Sequence, residues 1–111
     1  MLKKINRLKS KKDFSELKNK GVLYHSPIFS LVVLNSNEDK CQEFGFIISK
    51  KIAKEAVTRN KIKRYLSQAV YDNLNSFKIG IKVVFLVKRN ILEKKIEEIN
   101  QEVVEMAKKI E

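Results

Sequence analysis

His25 is the only histidine in the 111-residue chain, so any Ser/His/Asp relay would have to use it as the base. It stands just before Ser26-Pro27, with no nucleophile turn nearby, and reads as a surface or capping residue. The acids make no better case. Glu93, Glu97, Glu98, Glu102 and Glu105 fall among lysines at intervals suited to i,i+4 pairing, the pattern of a solvated helix face. Asp13, Glu16 and Glu38-Asp39 are isolated. Cys41 is the single cysteine, which excludes an intramolecular disulfide and a multi-cysteine metal site, and its polar neighbours mark a connection. The chain lacks a Walker-type glycine loop, a GxGxxG and an HExxH. These residue types equip the chain for no covalent chemistry of its own.

The concentrated chemistry is cationic. Residues 49–70, SKKIAKEAVTRNKIKRYLSQAV, hold seven Lys and Arg against one acid, Glu55. On a helix at 100° per residue, Ile62, Leu66 and Ala69 share one arc, widened by Tyr65 and Val70. Asn60, Lys61, Arg64, Ser67 and Gln68 fall opposite, and Arg59 and Lys63 lie at the margin, where their alkyl stems can pack while their heads reach water. A helix that is only solvated interleaves both charge signs, as the C-terminal residues do. This one presents a face suited to phosphates, with forks at Arg59 and Arg64 and point charges at Lys61 and Lys63, and Lys50 and Lys51 add charge just before it.

Elements must position these groups. The stretch 11–21 reads as a short helix, with Phe14 and Leu17 on one face and Gly21 as its stop. Residues 28–35 and 44–49 read as strands, and their short polar connection predicts an antiparallel hairpin. The basic helix follows from about Glu55 to Leu74, then a third strand at 81–88. Residues 91–110 place Leu92, Ile96, Ile99, Val103, Met106 and Ile110 at alternating spacings of four and three, an amphipathic helix packed on a sheet. The order αββαβα predicts a single α+β domain over 1–111, with strand–helix–strand across 44–88 as a parallel crossover.

Composition bounds the partner. Net charge is +11 with hydrophobic residues at 43%, so the chain has enough apolar material to fold while carrying charge that calls for a polyanion. Residues 1–20 hold eight bases and two acids, whereas the last 21 hold four bases and six acids. No apolar run approaches the roughly 18 residues of a membrane span and the N-terminus lacks a secretory apolar region, so a reducing cytoplasm is the expected location.

The segment 49–70 closely resembles the signature of the bacterial ribonuclease P protein subunit, a strand ending in Ser-Lys-Lys followed after about seven residues by Arg-Asn-Arg-x-Lys-Arg. Ser49, Lys50, Lys51, Arg59, Asn60, Lys63 and Arg64 match, and Lys61 stands where the family has its second arginine. Asn6, Arg7, Leu8 and Phe14 look like the family's opening. The resemblance covers residues 5–88. It implies an αββαβα sandwich with a small mixed sheet and a left-handed βαβ crossover, like a domain of a ribosomal protein. It also implies a non-catalytic protein subunit of a ribonucleoprotein whose RNA cuts precursor tRNA at its 5′ end using Mg²⁺. RNA contact is then expected at Arg7, Lys50, Lys51, Arg59, Asn60, Lys61, Lys63 and Arg64, and leader contact in a cleft by Phe14, Leu17 and Val32. Leu17 and Val32 stand where related sequences often carry aromatics. The partners implied are the catalytic RNA and precursor tRNA, with no membrane and no small-molecule substrate. A structural RNA-binding protein, such as a ribosomal component, is the alternative in another class; a stand-alone nuclease is disfavoured by the missing acid–base and metal groups.

Overall fold

The computed structural model describes Arg7, residues 11–35 and residues 42–110, and for residues 11–14 the backbone alone. The expectations placed on Asn6, Leu8, Glu38-Asp39, Cys41 and the side chains of Asp13 and Phe14 lie outside the described residues.

Among the described residues, three helices and four strands follow one another as α1 (Lys11–Lys20), β1 (Val22–His25), β2 (Phe29–Asn35), β3 (Glu43–Ile47), α2 (Ala56–Asp72), β4 (Ile81–Val87) and α3 (Ile96–Lys109). Short 3-10 helices at Leu74–Ser76 and Arg89–Glu93 lead into β4 and α3. The strands form one mixed sheet in the order β1-β2-β4-β3. β1 and β2 are antiparallel, β2 and β4 antiparallel, and β3 and β4 parallel. The α+β architecture is the one expected, with one strand more than the three read from the sequence.

The predicted hairpin between 28–35 and 44–49 does not form: β4 lies between these strands and pairs with both. The cause is apolar content on both faces of β4. Val83, Phe85 and Val87 point to one side and Val84 to the other, and all are buried. Such a strand loses most at an edge, so it takes a central position. Asn35 and Glu43 then stand two strand spacings apart, about 10 Å, which the intervening residues span easily. The crossover read across 44–88 is present as β3–α2–β4.

The core lies on the face carrying Phe29, Leu31 and Val33 of β2, Phe44 of β3, and Ile81, Val83, Phe85 and Val87 of β4. Ile62, Leu66, Ala69 and Val70 of α2, and Ile99, Val103 and Met106 of α3, close over it. Phe29 and Phe85 meet edge-on with centroids 5.0 Å apart, and Phe44 meets Phe77 likewise at 5.1 Å. Asn73, the residue that closes α2, is half-buried there. Its amide nitrogen donates to the Ala69 carbonyl at 2.7 Å and to Asn100 Oδ1 at 3.1 Å, so a polar pair joins α2 to α3.

The last helix is shorter than read. Residues 89–93 are 3-10, and α3 begins at Ile96, where the Lys95 backbone N–H donates to Glu98 Oε1 at 3.2 Å. The break takes Leu92 off the buried stripe, and it is 45% exposed.

Candidate nucleic-acid interface

β3 delivers the chain to a tight turn at Ser49, whose carbonyl accepts from the backbone N–H of Ile52 at 3.1 Å and of Ala53 at 3.2 Å. Ile48 and Ala53 are buried on either side, which pins the turn to the body and leaves Lys50, Lys51 and Lys54 in solvent. α2 then starts at Ala56 behind its N-cap Glu55, whose side chain makes no capping hydrogen bond, and its first turn holds no further acid.

Two arginines hold this turn. Arg59 Nη1 donates to the carbonyls of Ala53 at 2.8 Å and Lys54 at 2.7 Å. Arg89 Nη2, from the 3-10 helix after β4, donates to the Lys51 carbonyl at 2.9 Å. Arg59 therefore fixes the approach to α2 with one nitrogen of its fork, at the margin of the apolar arc where periodicity placed it. Arg89 was missed from sequence, because its partner is 38 residues away and only the parallel β3–β4 pairing brings the two together.

The rest of the expected cluster faces outward. Asn60, Lys61, Lys63 and Arg64 are exposed on α2, opposite Ile62, Leu66 and Ala69. Lys63, expected at the margin, is exposed as well. The Lys61 ammonium lies 5.7 Å from the centroid of the Tyr65 ring. Among the described residues, none of Lys50, Lys51, Lys61, Lys63 and Arg64 is in an ion pair, whereas α3 carries Lys108–Glu105 at 3.9 Å and pairs Glu98 with Lys94 at 3.6 Å. Arg7 stands apart from this cluster: it bridges Phe44 in parallel, four strand residues (about 13 Å) from Ile48.

The sheet face away from the core forms the second feature. Register places Leu23, Val32, Val84 and Gly45 in one row across all four strands, and His25, Ser30, Leu86 and Ile47 in the next. α1 covers part of this face through Leu17, which is 1% exposed. Beside it an apolar groove of about 730 Å³ remains, lined by Leu17, Leu23, Val32, Ile47, Val84 and Leu86, with Lys18 at its edge. Gly45, at the β3 end of the first row, adds no side chain to this face. Leu17 and Val32 are thus together, as expected of cleft residues, and no aromatic lines the groove among the described residues. His25, read as a surface residue, is exposed on this same face, and its Nδ1 lies 3.1 Å from Ser30 Oγ. Its alternation with Leu23 is the signal that could have placed it there.

A family model described as Ribonuclease P matches residues 2–111. The chain belongs to the ribonuclease P protein family. It is similar to the ribonuclease P protein component of Nitratiruptor sp., 33% identical over 109 residues, which span 98% of this chain and 95% of that one. The ribonuclease P protein component of Finegoldia magna is 37% identical over 84 residues, 76% of this chain and 72% of the relative. The RNase P protein from Thermotoga maritima superposes with a TM-score of 0.84 at 19% identity, covering 95% of this chain and 97% of that chain. The RNase P protein of Staphylococcus aureus gives 0.82 at 24% identity with the same coverage. At these identities the two structures speak for the fold, and the ribonuclease P fold is the one found here.

Proposed function

We propose that this chain is the protein subunit of a ribonuclease P ribonucleoprotein, binding its catalytic RNA and the 5′ leader of precursor tRNA. The observation that carries this reading is the unpaired cationic surface of the 49–55 turn and α2, on a chain of the ribonuclease P family. Lys50, Lys51, Asn60, Lys61, Lys63 and Arg64 contact the RNA, and Arg59 serves both the turn and a phosphate through the other nitrogens of its fork. Arg7 contributes from the outer edge of β3. The protein performs no chemical step: cleavage belongs to the RNA and its Mg²⁺. Among the described residues no three of His, Cys, Asp and Glu gather at metal-binding distance.

The sheet-face groove takes the leader. It is mainly apolar, with Lys18 at its edge, and offers few side-chain groups that could read fixed base edges, which suits single strands of varied sequence. Phe14, whose side chain lies outside the described residues, belongs to this proposal by its place on α1. No helix of the described chain is long and apolar enough to cross a membrane, and the proposed place of action is the cytoplasm. The test is a holoenzyme assembled with Val32→Glu, which sets a carboxylate in the groove. Its affinity for precursor tRNA is expected to fall while its affinity for mature tRNA stays unchanged. Equal loss for both would remove the groove from leader recognition.

A further inference from the structure

Beside the cationic face, and on the opposite side of the sheet from the groove, α2 and the chain entering α3 enclose a second depression of about 370 Å³. Its floor is apolar, made by Ile62, Ile91 and Ile99, all buried. Its rim holds two large apolar side chains that the fold leaves in solvent, Leu92 at 45% and Ile96 at 42% exposed. Tyr65 is half-buried in the wall, and Lys61 reaches over its ring. Lys94 and Lys95 complete the rim, and Glu97 is the only acid lining it among the described residues.

We propose that this depression takes an unpaired nucleotide of the RNA partner, its base against Tyr65, Leu92 and Ile96 and its flanking phosphates on Lys61, Lys94 and Lys95. The proposal rests on the reading of the chain as an RNA-binding subunit and adds a defined stacking site to it. Two observations select this occupant. Lys61 and Tyr65 belong to α2, so the depression continues the face that carries Asn60 and Arg64. Three lysines against one acid would oppose a second copy of a chain of net charge +11. The Lys61 ammonium lies over one face of the Tyr65 ring, and its flexible stem lets it move to a phosphate when a base arrives. Lys94 is held only by an exposed pair with Glu98 at 3.6 Å, an interaction of little strength that RNA can replace.

The test measures affinity for a bacterial ribonuclease P RNA across a series of salt concentrations, for the full chain and for Tyr65→Leu, Leu92→Ser and Ile96→Ser. Tyr65→Leu is expected to weaken binding by about five- to a hundredfold, the range of a lost base–aromatic stack. The slope of log affinity against log salt should stay unchanged, because a stack releases no counterions. Leu92→Ser alters an exposed position in the short 3-10 helix before α3 and keeps the test valid should Tyr65→Leu disturb packing. A photo-crosslinking benzoylphenylalanine in place of Leu92 should label a nucleotide of the RNA. Unchanged affinity in all three variants, or a crosslink to protein instead of RNA, overturns the stacking site. Failure of the unaltered chain to bind the RNA would instead overturn the RNA-binding reading on which the site rests.

Discussion

Arg59 and Arg64 lie five residues apart in one signature and have different tasks. Arg64 is exposed and makes no ion pair, so Arg64→Ala should weaken RNA binding and lower the salt slope by about one unit, the mark of a lost phosphate contact. Arg59 spends one nitrogen on the Ala53 and Lys54 carbonyls. Lysine keeps the charge but cannot reproduce the fork, so Arg59→Lys should loosen the turn. Hydrogen exchange of the amides of Ile52 and Ala53 is the measurement: faster exchange is expected, and protection equal to the unaltered chain would assign Arg59 to RNA contact alone. The inward sense of Ile62, Leu66 and Ala69 and the outward sense of Asn60, Lys61 and Arg64 were legible from helical periodicity, since they depend on one element. The grip of Arg89 on the Lys51 carbonyl was not, because it exists only once the sheet is assembled.

At the scale of elements, α1 has to meet the sheet closely while leaving the groove beside it open. Gly21 makes that approach possible. Its backbone N–H donates to the Leu17 carbonyl at 2.8 Å, and a Cβ there would stand 2.5 Å from both that oxygen and Val32 Cγ1. Gly21→Ala should therefore cost about 1–3 kcal/mol, as overpacking does, read as a lower urea midpoint at unchanged m-value. An unchanged midpoint would mean that α1 does not sit as described. Helix positions survived the passage from sequence to structure better than strand partners. α2 was expected at about 55–74 and is found at Ala56–Asp72, because an apolar stripe of period 3.6 is local information. β1 was missed: four residues at a sheet edge, mostly exposed, leave little hydrophobic alternation to detect. The pairing of β2 with β4 rather than β3 is non-local, although the unbroken run VVFLV of β4 is the pattern of a central strand. Leu92 fitted the stripe of α3 by spacing and left it because the helix breaks before Ile96.

For the whole molecule, charge and function pull against each other. A net +11 on 111 residues, with the cations of the 49–55 turn and α2 lacking acidic partners, opposes compaction until anions arrive. Sulfate or phosphate that binds the folded chain should raise its stability beyond the effect of chloride at equal ionic strength. Unfolding curves in the two salts check this, and superimposable curves would show that the cationic surface binds no anion preferentially. The same surface is where the account places the RNA partner. The most direct measurement of that central claim mixes the purified protein with a bacterial ribonuclease P RNA and precursor tRNA at low Mg²⁺. The expected result is 5′ cleavage by the RNA that the protein stimulates, no cleavage by protein alone, and reduced stimulation by Arg64→Ala. Cleavage by the protein without RNA, or RNA activity that the protein leaves unchanged, would contradict it.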